Sequence, residues 1–132
     1  MSRAVLDASA MLALFRAERG AEVVADYRGD AAASSVNVAE VVSRLSDEGL
    51  SPMEWQYAVG MLELEVVAFD ESQALQSGQL RRSTRHRGLS LGDRACLQLA
   101  AMRGLPAVTA DRAWAELDVA VEVRVIRESA RE

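Results

Sequence analysis

Apolar and polar positions follow two periods along this chain. Short β-branched or alanine-rich runs alternate with longer stretches at helical spacing. Ala4-Val5-Leu6 is uniformly apolar, as expected of a strand buried on both faces. Ala8 to Glu18 and Ala21 to Arg28 predict helices, separated near Gly20. Ala31 to Ser34 predicts a short second strand. Over Asn37 to Glu48, the residues Val38, Val41, Val42 and Leu45 share one helical face, and Gly49 supplies a stop. Ser51-Pro52-Met53-Glu54 has the form of a capping box with proline at the first helical position, opening a helix to about Leu62. Val66 to Phe69 predicts a strand, and Glu71 to about His86 a helix that turns basic at its end. Ser90-Leu91-Gly92-Asp93 opens a helix to Arg103, closed by Gly104 and Pro106. Ala107-Val108-Thr109 predicts a strand, Arg112 to Leu117 a short helix, and Val121 to Ile126 a last strand, followed by a tail expected to fray. Strands alternating with helices, without a repeat or a Pro/Gly linker, predict an α/β fold with a mostly parallel sheet in one domain over residues 1–132.

Composition narrows the function. The chain has 132 residues, half of them apolar and 27% charged, as in an ordinary soluble globular domain. That balance excludes intrinsic disorder, a collagen-like chain and a disulfide scaffold. A membrane span is excluded because no run of roughly 18 apolar residues occurs. The apolar segment Ala8 to Phe15 follows Arg3 but is too short for a secretory signal and runs on into Arg16, Glu18 and Arg19, so it is read as mature structure. All 15 basic residues are arginine, which removes a Walker-type phosphate loop and other sites built on lysine. One histidine, His86, and one cysteine, Cys96, cannot make a Cys/His zinc site or an internal disulfide, and a lone cysteine fits a reducing, cytoplasmic setting. A net charge of −5 is wrong for a basic protein that coats nucleic acid. It still allows action on nucleic acid where carboxylates hold a divalent metal.

Four acids stand out by position. Asp7 directly follows the first strand, and Asp111 follows Ala107-Val108-Thr109-Ala110, so both fall at the carboxyl ends of expected parallel strands, where open α/β sheets place their sites. Taken alone, an aspartate between a strand and a helix is better explained as an N-cap. Asp93 has a capping-box role available after Ser90, yet at helical spacing it stacks beside Cys96, Leu97 and Ala100 in a helix that is apolar almost all round. A carboxylate on a buried stripe is costly unless paired or bound to metal. Glu40 lies on the polar side of its helix, where a wheel cannot separate a site residue from a solvated one. As a set the four acids have a use: hard divalent cations take oxygen ligands, and carboxylates gathered at one end of a sheet suit metal-assisted displacement at phosphorus.

The segments Val5-Leu6-Asp7-Ala8-Ser9-Ala10, Ser35-Val36-Asn37-Val38-Ala39-Glu40, Leu89-Ser90-Leu91-Gly92-Asp93-Arg94-Ala95 and Val108-Thr109-Ala110-Asp111 resemble, in order and spacing, the motifs of PIN-domain nucleases. The VapC-type toxins of bacterial toxin–antitoxin pairs are the most similar group, and the resemblance covers the whole chain. It implies a three-layer PIN-like fold, with a central sheet flanked by helices. It implies Mg²⁺ or Mn²⁺ held by Asp7, Glu40, Asp93 and Asp111 as catalytic and metal-binding acids. Ser9 and Thr109 match positions that support the metal site by hydrogen bonding. The implied activity is endonucleolytic hydrolysis of RNA, restrained by a cognate VapB-type antitoxin that covers the acidic site, and a homodimer is the common assembly. Met11, Leu12, Leu14 and Phe15 suit either an antitoxin contact or the core. Two rivals stay open: a PIN-like nuclease of RNA processing with no toxin role, and a non-catalytic protein-binding module whose acids only cap helices.

Other motifs compete. Gly88-Leu89-Ser90-Leu91-Gly92 matches a nucleophile elbow, but the sole histidine precedes the serine and no strand precedes Gly88, so the cap reading of Ser90 is preferred. Arg81, Arg82, Arg85, His86 and Arg87 form the one dense basic patch. The four arginines are candidate RNA-contact residues, or else a solvated face favoured by the helix dipole. Arg94 and Arg112 each follow a site acid and either pair with a carboxylate or touch substrate. Trp114 is read as packing its short helix rather than stacking on a base. Trp55 and Tyr57 fit core or a partner surface, and Cys96 reads as a small buried hydrophobe.

Overall fold

Strand β1 (Ala4–Leu6) runs up the middle of the sheet with every side chain buried. The computed structural model describes residues 1–127, and the expected fraying of the tail falls on residues 128–132, outside the described residues. Strands β2 (Ala31–Ser34) and β4 (Ala107–Thr109) flank β1, and β3 (Glu65–Val67) and β5 (Val123–Val125) form the edges. The sheet order is β3-β2-β1-β4-β5, and every pairing is parallel. Parallel neighbours need crossover connections, and helices supply them. Six α-helices lie among the described residues: α1 (Ala8–Phe15), α2 (Ala21–Ala25), α3 (Ser35–Asp47), α4 (Pro52–Met61), α5 (Glu71–Thr84) and α6 (Leu91–Arg103). This is the α/β, three-layer arrangement expected from the alternating pattern.

The layers follow from the two-residue period of a strand. Ala4 and Leu6 face a core built with Ala10, Met11 and Leu12 of α1, Val24 of α2 and Val41 and Leu45 of α3. Val5, between them, faces the opposite core with Cys96, Leu97, Leu99 and Ala100 of α6 and Trp114. Helix α6 is buried from Ala95 to Ala100, as its continuous apolar pattern requires. Among the described residues no helix is long and apolar enough to cross a membrane.

Several element ends differ from expectation, each for a local reason. Helix α1 stops at Phe15 rather than Glu18, because Ala17 adopts a left-handed φ of 53° and turns the chain back towards α2. Helix α3 begins two residues early, since the Ser34 hydroxyl accepts the Val36 N–H at 3.1 Å and caps it there. Helix α5 ends at Thr84, and Arg85–Arg87 tightens into a 3₁₀ turn stopped by Gly88 at φ 65°. The short helix over Arg112–Glu116 is also 3₁₀. Strand β3 is shifted to Glu65, and β5 is shorter than its apolar run.

Gly20 begins α2 at φ 91° and abuts the end of β5: a Cβ there would stand 2.7 Å from both the Ile126 carbonyl oxygen and its Cγ1. Gly20→Ala is therefore expected to lose about 2 kcal/mol or more of stability. Urea unfolding should show a lower midpoint at unchanged slope; an unchanged midpoint would mean that this junction yields freely.

Candidate active site

The order β3-β2-β1-β4-β5 places the reversal of strand sequence between β1 and β4. At such a switch point the connections leave in opposite directions, and a crevice opens beyond the carboxyl ends of the strands. Asp7 follows β1 there, and Asp111 follows β4. Helix α3, leaving β2 on the other side of β1, contributes Glu40, and the start of α6 contributes Asp93. All four acids, with Ser9, Asn37 and Ser90, line one cleft of about 490 Å³.

Asp7 is the buried member, at 4% exposure. Its Oδ1 accepts the Ala10 N–H at 2.8 Å and the Ser9 hydroxyl at 2.8 Å, and its Oδ2 accepts the Thr109 hydroxyl at 2.6 Å. Ser9 Oγ in turn accepts the Ala110 N–H at 2.9 Å, and Thr109 Oγ1 accepts the Asp111 N–H at 3.0 Å. The two hydroxyls thus tie the start of α1 to the end of β4. Burial pushes the Asp7 carboxyl up to about 6, against the three donors that pull it down, and the nearby Asp93 charge adds to the rise. Desolvation wins over three hydrogen bonds, so a negative Asp7 is held at a cost.

Glu40 is positioned from two sides. Its Oε1 accepts from Asn37 Nδ2 at 2.9 Å, one turn earlier on α3, and the same amide group donates to the Gly92 carbonyl at 3.0 Å. Gly92 leaves room for the Glu40 carboxylate: a Cβ there would meet Glu40 Oε2. Asn37 is buried, and its Oδ1 has no hydrogen-bond partner. The sequence reading missed Asn37 as a site residue. Its signal was a buried-face position in the first turn of α3, which an amide occupies only when it has bonds to make.

The cap and site readings of the aspartates turn out to be compatible. Asp7 caps α1 through the Ala10 N–H, and Asp111 caps the Arg112–Glu116 turn through the Ala113 N–H. Asp93 completes a capping box with Ser90 at 3.0 and 3.1 Å. Asp93 is half-buried at the mouth of the cleft rather than sunk in the apolar stripe below it. A cap occupies one oxygen. Asp93 Oδ1, Asp111 Oδ2 and Glu40 Oε2 accept no hydrogen bond among the described residues. The Cys96 thiol lies fully buried beneath, raised first by burial and then by the charges of Asp7, Asp93 and Glu40, so it is an inert packing group.

Of the arginines near the cleft, Arg16, Arg94 and Arg127 are engaged elsewhere, whereas Arg44 lines the cleft with no side-chain partner among the described residues. Arg16 pairs with Glu48, and Arg127 pairs with Glu18 at 3.1 Å. Arg94 donates to the Ser77 carbonyl at 3.0 Å, which ties α6 to α5 and removes it from the substrate and acid-pair roles left open for it. Among the described residues no ion pair uses Asp7, Glu40, Asp93 or Asp111. No three His, Cys, Asp or Glu side chains among the described residues are close enough to form a ready metal cage. The acids ring an open cleft, which suits a cation that keeps part of its water shell.

The other candidates fall outside this cleft. Arg81, Arg82, Arg85 and Arg87 do not line it, and Arg87 pairs instead with Glu116 at 3.7 Å. His86 is exposed on the 3₁₀ turn. The elbow-like segment is a left-handed Gly88, a capping Ser90 and a packing Gly92. Trp114 is buried at 1% exposure in the core, so it packs. Met11 and Leu12 are core residues, whereas Leu14 and Phe15 line an apolar cleft of about 420 Å³ with Leu50, Tyr57, Ala58 and Met61.

Known structures share this architecture. A toxin–antitoxin complex from Klebsiella pneumoniae contains a chain 20% identical over 96% of this chain and 99% of its own, at a TM-score of 0.75. DNA-bound VapBC from Salmonella typhimurium gives 20% identity over 96% and 100%, at 0.72. VapBC-5 from Mycobacterium tuberculosis, a member of the VapBC family of toxin–antitoxin systems, gives 25% identity over 96% and 99%, at 0.55. No curated protein matches the chain. A family model described as the PIN domain matches residues 4–120, nearly the full length, and the chain therefore belongs to the PIN domain family.

Proposed function

We propose that this protein is a divalent-metal-dependent endoribonuclease and the toxin of a toxin–antitoxin pair. The observation that carries the reading is the set of four carboxylates in one cleft, none with a cationic partner among the described residues. In a cleft shared with three arginines, acids that served only structure would be expected to pair. Left unpaired, they fit a Mg²⁺ or Mn²⁺ ion by charge and by oxygen-donor chemistry. When bound, such an ion would supply a Lewis acid that activates water for attack at phosphorus.

The residues of the chain would prepare that chemistry. Ser9, Ala10 and Thr109 fix both oxygens of Asp7, so its orientation is set before any ligand arrives. Asn37 holds Glu40 Oε1, and Gly92, without a Cβ, leaves room for the carboxylate. Asp93 and Asp111 each keep one oxygen free while the other holds a helix start. Scissile RNA would lie against this edge, with the sheet and α6 as a rigid floor. The toxin assignment is supported by the likeness to the Klebsiella and VapBC structures over nearly the whole chain. An antitoxin partner is supported by the apolar cleft, where Tyr57 is 71% exposed, and by Arg16, which lines both it and the acidic cleft. A partner laid along the first cleft would reach the second.

Purified protein free of any antitoxin should cut RNA in a Mg²⁺ or Mn²⁺ titration, and Asp93→Asn should lose more than the roughly 10–100-fold typical of outer-shell changes. Equal cutting by parent and variant would sink the assignment. Gly92→Ala should keep the fold but displace the Glu40 carboxylate and lower turnover by roughly 10²-fold; a parental rate would show that Glu40 is not needed in this position. Asp7→Asn separates function from stability. The folded-state value near 6 lies above the ordinary 3.8, so parent stability falls as pH climbs through that window. Asparagine caps as well as aspartate and carries no charge. In chelator, Asp7→Asn should be more stable than the parent at pH 7 by up to about 3 kcal/mol, with the gain vanishing below about pH 4. A less stable variant at pH 7 would mean that the acceptor Asp7 Oδ2 offers to Thr109, which an amide NH2 cannot replace, outweighs the cost of the buried charge.

A further inference from the structure

Past Asp111 the carboxylate cleft opens into a larger one of about 740 Å³. Glu18, Asp111 and Arg127 line both, so the two are continuous. Both volumes lie in the range that takes a ligand as large as a nucleotide. The second cleft adds Arg19, Arg112 and Glu116 to its walls. Two of its acids are already neutralised: Glu18 by Arg127 at 3.1 Å, and Glu116 by Arg87 at 3.7 Å. The third, Asp111, belongs to the metal-site proposal. Arg112 is exposed and has no partner among the described residues. A planar guanidinium beside a row of satisfied acids has its donors free for an anion with paired oxygens, which is what a phosphodiester offers.

We infer that this second cleft is a phosphate subsite in which Arg112 holds the backbone phosphate next to the scissile one, so that single-stranded RNA leaves the acidic cleft past Asp111. The inference rests on the nuclease reading and gives the substrate a direction. Arg87 on Glu116 puts the basic turn Arg85–Arg87 at the far rim of the same cleft, on the continuation of that path. The contact is to backbone and carries no sequence information by itself.

The test is fluorescence anisotropy of a labelled short single-stranded RNA on Asp93→Asn protein, titrated at several salt concentrations. Arg112→Gln should weaken binding roughly tenfold. The slope of log affinity against log salt should become shallower by about 0.7, the value for one lost phosphate contact on a single strand. Arg112→Lys should restore most of the slope. Arg3→Gln makes the same charge change at the amino end of β1 and should leave both quantities unaltered. Arg112→Gln binding like the parent, or losing no more than Arg3→Gln, overturns the subsite, as does absence of RNA binding by the parent. Metal-dependent cleavage by the parent is read separately. Cleavage with unchanged Arg112→Gln binding removes the subsite and keeps the nuclease. Lost Arg112→Gln binding without cleavage removes the nuclease, and with it the register next to a scissile phosphate, and leaves Arg112 only as a phosphate contact.

Discussion

A carboxylate at 4% exposure, placed where the central strand ends, is the constraint around which this molecule is arranged. Asp7 cannot be left without donors, and three converge on it from α1 and β4. Those bonds also stitch the two strands' carboxyl ends together at the point where the sheet order reverses. Even so, burial outweighs them, and the carboxyl is pushed up to about 6. A fold that keeps such a group trades stability for a charge at a defined place, a trade common at functional sites.

The other acids are held more cheaply. Crevices beyond parallel strands are bordered by helix starts, and helix starts carry free N–H groups and the positive end of the dipole. Asp93 and Asp111 take one donor each at such positions and keep a second oxygen uncommitted. Capping and the proposed cation binding are therefore compatible in one geometry. The Glu40 carboxylate lies against the same helix start, and a Cβ at Gly92 would displace it from there.

Charge is partitioned around the cleft. Arg16, Arg127 and Arg94 are bound to Glu48, Glu18 and the Ser77 carbonyl rather than to the four acids, and Arg44 lines the cleft without pairing with any of them. The surplus negative charge is thus concentrated on one patch while Arg112, next door, stays open. Under the proposed nuclease reading, adjacent sites of opposite sign would suit a polyanionic substrate, with arginine to draw it in and carboxylates to hold a cation.

The chain's own pattern settled the class of fold, since strand and helix periods are local and the buried run Ala4-Val5-Leu6 has no other use. It also settled that Asp7 and Asp111 sit at strand ends, because a residue following a strand is at its end in any topology. Element ends were less secure: Ala17 in a left-handed turn and Ser34 as a cap answer to what packs against them, which spacing does not record. The sequence singled out the four acids by position but gave them a shared role only by likeness, since a helical wheel cannot separate a site residue from a solvated one at Glu40. Tertiary structure decided the rest, because strand order, the orphaned Asn37, the closeness of Gly92 and the pairing of each arginine depend on segments far apart in the chain meeting in space. No window of local sequence contains both partners of such a contact.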